Sequence, residues 1–151
     1  MRNKYLLDTN ICIELLHGRY HISDKIEEIG IEHCVLSEIT IAELYYGAYN
    51  ANLQKHFREI NTLERLFEIV PVFNALSLFG KNKAILRRQG LLIDNFDLLI
   101  GSTAVAHNCV LVTDNVKHLS RIPDIEIENW ISRYYTYEGI HTRFTQVHTT
   151  L

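Results

Sequence analysis

The sequence predicts an α/β fold, three layers deep, with a mostly parallel sheet of roughly five strands and helices on both faces. Two observations lead there. Apolar runs of strand length alternate along the chain with stretches of helical period, the order that βαβ units produce. The runs read as buried strands, as expected for a parallel sheet covered on both faces.

Each element follows in order. Tyr5-Leu6-Leu7 is a short buried strand, and Cys34-Val35-Leu36 is a second. Phe67 to Phe73 is a third, and Pro71, which cannot donate to a ladder, puts it at a sheet edge or marks its end. Cys109 to Val112 is a fourth. Ile125 and Ile127 alternate with acids, the pattern of a half-exposed fifth strand. Among the helices, Leu53, Phe57, Ile60, Leu63 and Phe67 recur at spacings of three or four and make one apolar stripe. Asn74 to Gln89 is helical in pattern despite Gly80, and Gly90 is a natural C-terminal stop. Asp97 to His107 is apolar on most sides, so that helix is expected to be central and buried.

Bulk properties narrow the class. A chain of 151 residues fits one domain, and 47% apolar residues suffice for a core. Charged residues at 22% and only 2 prolines argue against disorder. No apolar run approaches the roughly 20 residues that span a bilayer. The opening MRNKYLLDTN reaches Asp8 after three apolar residues, too few for a secretory signal. A cytoplasmic protein without a membrane anchor is expected. Cys12, Cys34 and Cys109 are odd in number and lie among apolar neighbours, as buried reduced thiols do. The formal net charge of −3 is a weak footprint for a nucleic-acid binder. Neutralising a group of carboxylates with a cation would turn that balance slightly positive.

The chemistry is expected where two strands end alike. Tyr5-Leu6-Leu7 runs into Asp8-Thr9-Asn10, and Val110-Leu111-Val112 runs into Thr113-Asp114-Asn115. In an open parallel sheet, ligands bind beyond the carboxyl ends of strands, where strand order reverses. If these strands are neighbours, Asp8 and Asp114 converge there. Read singly, each motif is explained by helix capping; its repetition on buried strands favours a site. Glu43, in the otherwise apolar stretch Ile41-Ala42-Glu43-Leu44-Tyr45, and Asp97, opening the buried helix, are two further acids in unlikely places. Helix-edge exposure and the helix dipole are the plainer accounts of each. Together, Asp8, Glu43, Asp97 and Asp114 are four carboxylates with no obvious set of cationic partners, and a hard divalent cation would relieve their repulsion. Oxygen-only ligands suit Mg²⁺ or Mn²⁺ rather than Zn²⁺. The sequence has no phosphate-binding Gly-x-x-x-x-Gly-Lys loop, no Gly-x-Gly-x-x-Gly and no Gly-x-Ser-x-Gly. An aspartyl phosphatase would want an acid where Asn10 stands.

Four segments, YLLDTNICIELLHG (5–18), LSEITIAELYYGA (36–48), LFGKNKAILRRQGLLIDNFDLLIGSTAVAHNCVLVTDN (78–115) and HLSRIPDIEIENW (118–130), together resemble the PIN-domain nucleases. The resemblance is closest to the VapC-type toxins of bacterial toxin–antitoxin pairs, and it covers about residues 4 to 130. It implies a PIN-like α/β/α fold and a Mg²⁺- or Mn²⁺-dependent endoribonuclease that inhibits translation and growth. It also implies a homodimer and a cognate antitoxin that blocks the site. The family's first three acids fall on Asp8, Glu43 and Asp97; the fourth, less uniform position falls on Asp114. A family acid just beyond falls near His118, a departure. Asp94 is an auxiliary acid or a loop residue. Thr9, Asn10, Thr113 and Asn115 are placed to orient ligands or phosphate. Lys81, Lys83, Arg87 and Arg88 are candidates for phosphate contact or a solvated helix face. Tyr45, Tyr46 and Tyr49 are candidates for base stacking or an interface. The expected organisation is a nuclease domain over 1–130 and an extension over 131–151 whose role the residues do not indicate. The main rival function is a non-catalytic scaffold of the same fold that binds RNA or protein. A signalling receiver domain is disfavoured because the third strand, ending Val70-Pro71-Val72-Phe73, carries no Asp.

Overall fold

The computed structural model describes residues 4–137 and 140–145. Five strands form one parallel sheet: β1 (Tyr5–Leu7), β2 (Cys34–Ser37), β3 (Glu68–Val70), β4 (Val110–Val112) and β5 (Ile127–Glu128). Their order is β3-β2-β1-β4-β5. The chain therefore builds outward from β1 on one side, then returns to add β4 and β5 on the other. The reversal lies between β1 and β4, so a switch-point crevice opens at their carboxyl ends.

β1, β4 and the first three residues of β2 are apolar because successive side chains enter different cores, whereas Ser37, Glu68 and Glu128 place polar residues on β2, β3 and β5. Leu7, Leu36 and Val112 pack on one face with Ile11 and Cys12 of α1 (Thr9–Leu16), Ile22 and Ile26 of α2 (Ile22–Ile29), and Leu63 of α4 (Gln54–Leu66). Leu6, Val35 and Leu111 pack on the other. There they meet Leu86 of α5 (Leu76–Arg88), Leu98 and Ile100 of α6 (Asn95–Ala106), and Leu119 of α7 (Val116–Leu119). Helix α3 (Glu38–Ala51) leaves the end of β2 and sends Ile41 and Leu44 to the first core and Ile39 to the second. The three-layer parallel architecture is the one the sequence predicts.

The differences are local and have causes. The third strand is shorter than expected: Pro71 ends it at Val70, and it is indeed a sheet edge. A 3₁₀ turn, Phe73–Ala75, precedes α5, and Gly90 follows with φ +67°. Helix α6 starts before Asp97, because the Asp94 carboxylate accepts the Phe96 N–H (2.9 Å) and caps it. Asp97 instead occupies the first turn. From Ile100 to Ala104 this helix is buried without interruption, as expected of a central element. Leu53 lies outside the α4 stripe and is exposed. All three cysteines are free and buried.

Beyond β5, Ile131 is buried in the first core, and the chain continues as an antiparallel hairpin of β6 (Ser132–Tyr137) and β7 (Ile140–Thr145). Among the described residues no helix is long and apolar enough to cross a membrane.

Candidate active site

Register brings the two Asp motifs together. Leu7 pairs with Val112, and the Asp8 N–H donates to the Val112 carbonyl (2.9 Å). Asp8 and Thr113 therefore leave neighbouring strands side by side. Asp8 is 3% exposed and caps α1. One carboxylate oxygen accepts the Thr9 N–H (2.7 Å); the other accepts the Thr113 hydroxyl (2.7 Å) and the Asn10 amide (3.1 Å). Burial nevertheless raises its pKa above the ordinary carboxylate range, and Glu43 adds to the rise against the pull of these donors.

Glu43 comes from α3, which Ser37 starts by accepting the Ile39 N–H (3.1 Å). Its Oε1 accepts the Thr9 hydroxyl (2.6 Å), so one threonine links α1 to the second acid. That hydroxyl also lies 3.1 Å from buried Thr40 Oγ1. Burial raises the Glu43 pKa, reinforced by Asp97 and Asp94. Asp97, in the first turn of α6, accepts the Asn115 amide (3.1 Å). Burial, then Asp8 and Asp94, push it up to about 6, against the opposing influence of His118 and Asn115.

Asp8, Glu43 and Asp97 thus converge within electrostatic reach, from three elements, at the crevice the strand order creates. Their donors among the described residues are neutral hydroxyls, amides and a backbone N–H. Such oxygen-rich, anionic sets suit a hard divalent cation. Among the described residues no three acid, histidine or cysteine side chains close into a ready ligand cage. Mg²⁺ tolerates this openness, since it keeps several waters and takes only one or two carboxylates together with substrate phosphate.

Asp114 is placed differently. Its backbone N–H donates to Asn10 Oδ1 (3.2 Å), so its loop is tied to Asp8 through Asn10. Its carboxylate accepts Asn129 Nδ2 (3.1 Å) and the guanidinium of Arg133 (2.8 and 3.3 Å). The expectation of four acids without cationic partners is therefore corrected at this position. The partner lies on β6, beyond the reach of any local spacing.

The remaining expected residues sort plainly. Thr9, Asn10, Thr113 and Asn115 each bond an acid. Asp94 is an exposed cap that acts on Glu43 and Asp97 through its charge. Lys81, Arg87 and Arg88 are exposed on α5, and Lys83 lies over the Phe79 ring at 5.7 Å. Tyr46 and Tyr49 are exposed, and the Tyr45 hydroxyl donates to Glu64 (3.1 Å). Sequence reasoning missed Thr40, Asn129 and Arg133. Thr40 was within its reach, because it sits one helical turn before Glu43 on the same face. Beside Glu43, an apolar cleft of about 200 Å³ opens between α1, α3 and α4, lined by Ile13, Leu16, Leu44 and Ile60.

Comparison with known proteins locates this arrangement. The model of the PIN domain family matches residues 5–125. Ribonuclease VapC1 of Haemophilus influenzae is 37% identical over 130 residues, covering 83% of this chain and 97% of the relative. The solved structure of VapBC2 from Rickettsia felis bound to a DNA fragment from their promoter aligns with a TM-score of 0.75 at 30% identity. It covers 83% of this chain and 98% of its own. A toxin–antitoxin complex from Klebsiella pneumoniae aligns with a TM-score of 0.62 at 26% identity, covering 84% and 98% respectively.

Proposed function

The chain belongs to the PIN-domain family, and from that premise we propose that it is a divalent-metal-dependent endoribonuclease, the toxin of a toxin–antitoxin pair that arrests translation and growth. The observation that carries this reading is the convergence of Asp8, Glu43 and Asp97 at the switch point, each raised in pKa and met by neutral donors.

Asp8, Glu43 and Asp97 would hold Mg²⁺ or Mn²⁺, directly or through water, with Asp114 at the rim of the set. When bound, the cation supplies Lewis acidity to the scissile phosphate and acidifies a water. Asp8, pinned by three donors, presents its oxygens in one geometry. Asn115 orients Asp97 in the same way. Glu43 takes up a proton from the attacking water as it approaches phosphorus in line. The new bond is P–O from water; the P–O3′ bond breaks, and the leaving 3′ oxygen takes a proton from a solvent water, whose hydroxide is neutralised by the proton Glu43 releases. The products are a 5′-phosphate and a 3′-hydroxyl, and the 2′-hydroxyl takes no part.

An antitoxin is the expected partner, and the apolar cleft beside Glu43 gives it a surface contiguous with the site. A homodimer would cover the exposed Tyr46 and Tyr49. Action on RNA during translation places the protein in the cytoplasm. Residues 1–130 form the nuclease domain, and the chain from 131 onward is an extension of it.

The test is incubation of the purified, antitoxin-free protein with total bacterial RNA and Mg²⁺ or Mn²⁺, with and without chelator, beside Asp8→Asn. Expected are metal-dependent fragments bearing 5′-phosphates, lost in the variant. Fragments ending in 2′,3′-cyclic phosphate would overturn the hydrolytic route. RNA binding without cleavage by the folded protein would move it to the scaffold reading.

A further inference from the structure

Among the described residues, Arg133 links the C-terminal hairpin to the site. Arg133, the second residue of β6, sets both terminal nitrogens against both oxygens of Asp114: Nη2 to Oδ2 at 2.8 Å and Nη1 to Oδ1 at 3.3 Å. Asn129 adds a third donor to Oδ1 (3.1 Å). A two-pronged guanidinium–carboxylate pair is geometrically demanding and occupies the lone pairs a cation would need. Meanwhile the Asp114 backbone is held at the site, its N–H on Asn10, whose amide in turn holds Asp8. The Asp114 backbone is thus tied to Asp8 through Asn10, while its carboxylate is held by Arg133 and Asn129.

Arg133 also lies beyond the family match, which ends at residue 125. With Arg133 40% and Asp114 27% exposed at their side chains, the pair stands where water and ions reach it.

We propose that Arg133 is a positioning residue that takes the place of a cation on Asp114, keeps that carboxylate out of the metal's ligand set, and so lowers the affinity of the site for a divalent ion. This rests on the reading of Asp8, Glu43 and Asp97 as the ion's holders. Affinity at oxygen sites rises with the number of carboxylates available. Removing the guanidinium restores one full negative charge on a loop tied through Asn10 to Asp8.

The experiment is calorimetric titration of Mn²⁺ alone into the full chain and into Arg133→Gln, Arg133→Lys, Asp114→Asn and the Arg133→Gln/Asp114→Asn double variant, with thermal unfolding confirming that each is folded. Glutamine keeps most of the side-chain stem, so loss of packing is small. Arg133→Gln is expected to bind Mn²⁺ roughly tenfold more tightly. Arg133→Lys, which keeps the charge but not the fork, is expected to remain near the native value. Asp114→Asn alone is expected to change little, and in the double variant it is expected to erase the gain. Unchanged or weaker binding in Arg133→Gln would overturn the proposal. So would a loss in Asp114→Asn as large as that in Asp8→Asn, because Asp114 would then already be a ligand. Native protein that binds no Mn²⁺ would overturn the metal-site reading and this proposal together, whereas native binding unmoved by the Arg133 variants would overturn this proposal alone.

Discussion

Replacing Asp97 with asparagine should stabilise the metal-free protein while disabling its site. Asp97 is pushed up to about 6 by burial and by the charges of Asp8 and Asp94. An unfolded aspartate titrates near 4. Between those two values the native state holds more protons than the unfolded chain, so stability falls as pH rises through that window and stays low above it. The gap of roughly two pH units corresponds to about 3 kcal/mol, and partial exposure with its solvent screening reduces this to about 1–2 kcal/mol. The charge has one benefit: it sits in the first turn of α6, where the helix dipole contributes about 0.3–1 kcal/mol. Repulsion and desolvation therefore win by about 1 kcal/mol. Asparagine is close in shape, retains an oxygen for the Asn115 amide, and carries no charge at any pH. Urea unfolding in chelator, followed by Trp130 fluorescence, should show Asp97→Asn more stable at about pH 7.5 and equal to native at about pH 3.5, below the unfolded pKa. Asp8 and Glu43, raised in the same direction, give the native protein the same slope. A variant less stable at the higher pH, or a gain independent of pH, would refute the reasoning.

Thr113→Val keeps the shape of a fully buried side chain but removes the donor 2.7 Å from Asp8. At neutral pH it should cost about 1–3 kcal/mol in urea unfolding and raise the Asp8 pKa further, moving the acid limb of the cleavage pH profile upward. A profile that stays in place would mean that Asp8 is held by its other donors alone. Gly101→Ala in α6 would place a Cβ 2.2 Å from Cδ1 of Ile122, which is 2% exposed and packed in the core. Overpacking of about 1–3 kcal/mol should exceed the roughly 1 kcal/mol gained in helix propensity, so the urea midpoint should fall. An unchanged midpoint would show that Ile122 has room to turn.

The parts of the fold legible in the sequence are those where one physical cause dominates. β1 and β4 were readable almost to the residue because each side chain feeds one of two cores, leaving no polar position to blur the run. Asp8 was readable for the same reason, being the first polar residue after such a run. Edges were less so. Pro71 was seen, but the ladder already stops at Val70, and the start of α6 is set by the Asp94 cap rather than by Asp97. Helix α2 begins after Tyr20 and His21, two non-glycine residues with positive φ (56° and 55°) that no propensity rule anticipates. At the site, Thr9, Asn10, Thr113 and Asn115 were readable because each adjoins an acid in sequence. Arg133 was not, because its contact with Asp114 spans 19 residues and depends on how β6 leaves the core.

Anomalous diffraction from crystals of the full chain soaked in Mn²⁺ reads directly where the cation sits. An anomalous peak within coordination or one-water distance of Asp8, Glu43 and Asp97, with Asp114 still in the fork of Arg133, is the expected result. A site without such a peak at saturating Mn²⁺, or a peak held by residues away from the switch point, would contradict it.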